Sequence, residues 1–415
     1  MKNLNVIRWG LSIGVTLLMW YFLTTVQIGS VYDGYFGIYD LVWLLPSFAL
    51  LAGLQVIIHE AGHALFGKLT GYRMNSFRIY TLMWIWQPDG KIAFKQYFNA
   101  SADGQCLMAP PDYSENEWPF RWYLSGGVLL NLLVSIFVLV AFDLSWVTLI
   151  FSCVGLDFAI INGIPAEHND GKTLLLASQQ KGYRYLLYLE LKVNQLLNKG
   201  LVFTEMPRQY FEKIETGSMR THLDDSHDLL RVSYFFDTEQ WDKLELELEN
   251  LWQQLDKVAP IYRTKVKAEF LFYLLIFHPD DPRIEEIWQD KKFRTILQLE
   301  DPIVPRLRAA FLYYREKNLS DALDTLKNGE KFFANSHTLG DQEREIQLAH
   351  WLRKRMMKQG TLSDEIDTSQ IVNKVDDLDK AEDRRSLIMF AILMIVLVAI
   401  AHWACIFFVD LVSIK

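Results

Sequence analysis

The chain has 415 residues, 51% hydrophobic and 14% aromatic, with a mean hydropathy of +0.06. That is too apolar for an ordinary soluble protein and too polar for one made only of membrane spans, so a mixed architecture is expected. The net charge of −8 is spread over both signs, so nothing suggests nucleic acid as a partner, and Cys106, Cys153 and Cys405 lie apart without a C-x-x-C pair, at least two of them in apolar stretches, so no disulfide framework is implied.

Crossing the hydrocarbon takes about 20 mostly apolar residues. Stretches of that kind lie at about 9–28, 41–67, 122–142, 144–165 and 387–410, giving about five spans. The first lacks a small-residue cleavage site and is kept as a span. Lysine and arginine set the orientation. Lys2, Arg8, Lys68, Arg73, Arg78, Lys91, Lys95, Arg121, Lys172, Arg384 and Arg385 all fall on one side. The opposite loops, residues 29–40 and the FDLS turn, carry neither residue. The N-terminus and the long polar region after the fourth span are therefore expected in the cytoplasm, with a lipid bilayer, of bacterial plasma-membrane type, as the surroundings.

Within the second span, VIIHEAGHALFG places His59, Glu60 and His63 as H-E-x-x-H. This spacing sets two imidazoles one helical turn apart, in reach of a single zinc ion, with a glutamate beside them. Histidines in a span can also simply hydrogen-bond a neighbouring helix. Three adjacent polar groups in a bilayer without a compensating ligand would be costly, however, at about 2.5–3.5 kcal/mol for a central acidic residue. A catalytic zinc needs a third protein ligand and an open position for water.

The end of the fourth span reads IINGIPAEHNDGKTLL, in which Asn162, Pro165, Asp170 and Gly171 keep the spacing N-x-x-P-x-x-x-x-D-G. Together with H-E-x-x-H this resembles the site-2 protease family of intramembrane zinc metalloproteases. SGGVLLNLLVS is similar to that family's G-P-x-x-N element, retaining Gly127 and Asn131 with Val128 in place of proline, and Lys172 replaces the second glycine of D-G-G. The resemblance covers residues 55–172. It implies zinc held by His59, His63 and Asp170, Glu60 as general base, Asn162 as an oxyanion or substrate donor, and Asn131 as a substrate contact. His168 and Glu167, just before Asp170, are competing donors.

Between the second and third spans, the runs FRIYTLMWIW and KIAFKQYF flank Pro88, Asp89 and Gly90, a hairpin signal over 76–98. In the resembled family a membrane-associated β element occupies this interval and pairs with substrate. Ile92 and Phe94 are accordingly expected to contact the substrate strand, with a surface hairpin anchored by Trp84 and Trp86 as the plainer reading.

Residues 172–360 carry amphipathic helical patterns. Within the segments 232–252 and 312–333 a register without gaps sets Phe236 against Tyr314, Trp241 against Leu319 and Leu244 against Ala322. A TPR-like array of helical hairpins is expected, able to bind a regulator or a substrate tail. An acidic tether at 361–386 leads into the last span. The whole reads as an all-α polytopic membrane protein, residues 1–171 forming the intramembrane core with its small hairpin, and with a cytoplasmic helical domain. The expected activity is cleavage of a single-span or leader-peptide substrate. The other reading is a catalytically silent membrane scaffold or peptide-handling accessory protein with a structural or vestigial zinc site.

Overall fold

The computed structural model describes residues 2–25, 38–97, 103–166, 168–217 and 219–357. The chain divides into two compact units, the first running to Gln179 and the second starting at Gln180. The expected tether and fifth span lie outside the described residues.

The first unit opens with α1 (Lys2–Thr25) and α2 (Ile38–Leu69). A sheet follows, made of β1 (Arg73–Ile79), β2 (Leu82–Trp86), β3 (Ile92–Gln96) and β4 (Gly104–Ala109). Next come α3 (Phe120–Ala141), α4 (Trp146–Gly163) and α5 (Asp170–Gln179). Among the described residues four helices are long and apolar enough to cross a membrane: Leu4–Leu23, Leu45–Leu69, Phe120–Ala141 and Trp146–Gly163. These correspond to the first four expected spans, with ends shifted by a few residues. Ser145 starts α4 with a capping box, its Oγ accepting from the Thr148 N–H at 3.2 Å while the Thr148 hydroxyl oxygen accepts from the Ser145 N–H at 2.8 Å.

The expected hairpin is present as β2 and β3, closed at Gly90, whose φ of 77° is open to glycine. It is part of a larger antiparallel sheet in the order β3-β2-β1-β4. The run FRIYTLMWIW is two strands, because Tyr80 turns the chain with a φ of 51° and its N–H bonds to the Asp103 carbonyl.

The first unit extends to Gln179, beyond the expected boundary at 171, because α5 packs against α3 and α4. Gly171 sits so close to the Gly163 carbonyl that a Cβ there would collide with it.

The second unit is helical throughout its described length. It comprises α6 (Lys181–Asn198), α7 (His222–Asp237), α8 (Trp241–Gln253), α9 (Pro260–Phe277), α10 (Arg283–Gln289), α11 (Lys291–Leu297), α12 (Val304–Tyr314), α13 (Leu319–Gly329) and α14 (Leu339–Met356). The gapless alignment coincides with two helical hairpins, α7–α8 and α12–α13. The aligned Glu239 and Lys317 both turn the chain with positive φ, 54° and 57°, and the aligned Leu244 and Ala322 are both fully buried.

A buried ion network ties this unit together. Arg306 donates to Glu345 and Glu269, each at 2.9 Å, and Arg344 donates to Asp237 at 2.9 Å. Burial pushes the Asp237 carboxyl up to about 6 in spite of Arg344 beside it. Truncating Arg306 takes the hydrogen-bonded cation from two buried carboxylates and leaves each with only Arg344 at 3.9 Å, so Arg306→Ala should destabilise this unit by about 3 kcal/mol. Thermal unfolding of the full chain, followed by circular dichroism, measures the shift.

Candidate metal centre

His59 and His63 lie one turn apart on α2, both buried, with ring centroids 4.8 Å apart. Their Nε2 atoms are 3.2 Å from each other. Asp170, the first residue of α5, places Oδ2 2.9 Å from His59 Nε2 and 3.3 Å from His63 Nε2. The triangle matches the edge of about 3.3 Å that a tetrahedral ion with ligand bonds of about 2.0–2.1 Å requires.

The far side of each ring fixes its proton. His63 Nδ1 lies 2.7 Å from the Tyr123 carbonyl oxygen, which can only accept, so this nitrogen donates. His59 Nδ1 lies 2.7 Å from Asn131 Oδ1 and donates in the same way. In the neutral rings both Nε2 lone pairs then face the Asp170 oxygen. Electron-rich atoms converging at this range are reconciled by a proton on an Nε2 or by a cation between them, and the three residues together could hold a metal ion. Burial opposes the charge of Asp170, but when the facing imidazoles carry protons at Nε2, His63 foremost, they hold its carboxyl well below the usual carboxylate range.

Two local devices bring α2, α3 and α5 to this point. Gly62 and Gly126 let α2 and α3 approach until backbone meets backbone, and a Cβ on either would collide with the other. Beside them, a Cβ on Gly127 would stand 2.6 Å from His59 Nε2 and 2.7 Å from His63 Nε2, filling the space at the donor atoms. The second device is Asn169. Pro165 follows the end of α4 and frees its last carbonyls. Asn169 Nδ2 donates to the Ile161 and Ile164 carbonyls at 2.6 and 2.7 Å, and its Oδ1 accepts from the Lys172 N–H at 2.9 Å. One side chain thus closes α4 and caps α5, fixing Asp170 at the helix start.

Glu60 follows His59, is buried, and faces β4. A Cβ on Gly104 would stand 2.6 Å from Glu60 Oε1, so only glycine leaves room for the carboxyl. The Tyr123 hydroxyl donates to the Cys106 carbonyl at 2.7 Å, tying β4 to α3. Burial, and then the Glu60 carboxyl, push the Cys106 thiol well up, so it stays protonated and offers no thiolate.

The structure therefore brings His59, Glu60, His63 and Asp170 together. Asn131, read from the sequence as a substrate contact, is 0% exposed, and both ends of its amide are engaged within the protein. Asn162 is half-buried near the end of α4, and its Nδ2 donates to the Phe158 carbonyl of its own helix at 3.1 Å. Ile92 and the exposed Phe94 lie on β3, the sheet edge opposite β4. His168 is exposed and outside the donor group; Glu167 is outside the described residues. Sequence reasoning missed Tyr123, which acts through a backbone carbonyl and leaves no side-chain signal. It also missed Gly104 and Asn169, although an Asn directly before Asp170 is an N-cap signal. Compared with known proteins, the chain matches no family model, no curated protein and no solved structure.

Proposed function

We propose that the chain is an intramembrane zinc endopeptidase of site-2 protease type, multi-pass, with its active site toward the cytoplasmic leaflet. The observation that carries this is the triangle of His59, His63 and Asp170, with both imidazole tautomers set for metal and a buried carboxyl next to His59. A bound zinc would supply Lewis acidity at the scissile carbonyl and acidify a water toward neutrality.

Glu60 takes the proton of the attacking water and returns it to the leaving amine. Asn162 is assigned as donor to the substrate carbonyl oxygen, exchanging its present partner in α4 for the substrate. The substrate must be extended before its amides are reachable, and addition to a sheet edge would extend it. β4 borders Glu60, whereas β3 with Ile92 and Phe94 lies three strand spacings away, about 14 Å. Pairing at β3 would hold the substrate chain remote from the scissile bond, and the scissile segment itself would lie along β4. The second unit, read as a TPR-like cytoplasmic domain, would bind a regulator or the substrate's tail.

Purified full-length chain should carry about one zinc and cleave a member of a panel of single-span and leader-peptide substrates. Chelation should stop cleavage and added zinc should restore it. A chain that takes up no zinc would instead favour the silent scaffold.

A further inference from the structure

Gln55 lies one turn before His59 on the same face of α2 and is fully buried among apolar helices. Its Nε2 donates to the Phe151 carbonyl of α4 at 2.9 Å. Because that carbonyl can only accept, Gln55 Oε1 must be the end turned toward Asn131. Asn131 Nδ2 donates both to Gln55 Oε1 at 2.7 Å and to the Gln55 backbone carbonyl at 3.0 Å. The Asn131 amide is thereby locked with Oδ1 toward His59 Nδ1, 2.7 Å away. We infer that Gln55 is a positioning residue whose side chain sets the His59 tautomer through Asn131, keeping the Nε2 lone pair available for the metal. The inference rests on the zinc reading of this site.

The order follows from the capacity of each group. A backbone carbonyl lacks a proton, so orientation runs one way, from Phe151 to Gln55 to Asn131 to His59. Without Gln55 Oε1, the Asn131 amide keeps only the Gln55 backbone carbonyl as acceptor, so one bond in place of two opposes its flip. In the flipped amide an N–H would face His59 Nδ1 and move the ring proton to Nε2, against the metal.

Gln55→Met keeps length and volume but removes both polar ends. In full-length chain in detergent, zinc affinity measured by chelator competition should fall about 10- to 100-fold. Gln55→Glu, neutral when buried at this depth, can still accept from Asn131 and donate to the Phe151 carbonyl, and should stay within about 3-fold of wild type. A purely structural Gln55 would lower the thermal midpoint of both variants and leave the affinity of folded molecules unchanged, which overturns the inference. Nitrogen NMR of His59 in metal-free protein separates the two readings. A shift from the Nδ1–H to the Nε2–H form in Gln55→Met upholds the relay even if the wild type binds no zinc, a result that overturns the metal reading alone. Identical tautomers in wild type and Gln55→Met overturn the relay.

Discussion

Glu60→Gln should keep its zinc and lose between about a hundred-fold and ten-thousand-fold of its turnover, the range a positioned general base contributes. On the rate scale this is about 3–5 kcal/mol of barrier. The two effects separate because Glu60 is outside the donor triangle, which His59, His63 and Asp170 complete without it. Glutamine has the shape of the carboxyl it replaces, so the packing against Gly104 and the closeness of β4 to α2 are kept. What it lacks is the ability to take a proton from water. Metal analysis and cleavage by the same preparation decide the matter. Zinc and turnover falling together would make Glu60 part of the metal's support and leave the base unassigned. Equal turnover in both proteins would remove Glu60 from the reaction.

The chemistry of this site was legible wherever a short-range repeat encodes it. His59 and His63 are four residues apart on a helix, and that spacing alone puts both rings on one face. Asp170 was reachable only through a motif, since 107 positions separate it from His63 (170 − 63), and no periodicity links a helix start to a span. The partners that fix each ring's proton left weaker traces. Tyr123 contributes a carbonyl that any residue would have, and Gly104 contributes an absence that shows only once β4 is docked on α2.

The sheet is a similar case. β2 and β3 carry a Pro-Asp-Gly turn between them, but β1 passes into β2 through Tyr80, a bulky residue in a left-handed turn that sends no turn signal. In the second unit the gapless register within 232–252 and 312–333 found two equivalent hairpins without a glycine to mark their turns. Glu239 and Lys317 take the left-handed conformation instead.

Gly127→Ala is the smallest substitution expected to disable the site. The added methyl would stand 2.6 Å from both Cε1 and Nε2 of His59 and 2.7 Å from His63 Nε2. Neither ring can simply swing aside, because each is held at Nδ1, by Asn131 and by the Tyr123 carbonyl. Retreat of α3 would in turn separate Gly62 from Gly126, where the two backbones already touch. Overpacking of this kind costs about 1–3 kcal/mol in stability, which a folded protein can absorb. The geometry of the donors is less forgiving, since a displacement of about 1 Å is enough to cost about a hundred-fold in a positioned site. Zinc affinity and turnover should therefore both fall by about that factor or more, at a modest change in thermal midpoint. Gly14→Ala on α1, where a Cβ meets nothing within 4 Å, is the matched control and should leave affinity and turnover unchanged. If Gly127→Ala bound zinc as the control does, the three donors would have to converge on some other side of the imidazole pair. The close approach of α2 and α3 at Gly62 and Gly126 would then be a packing feature alone, with no part in holding the metal.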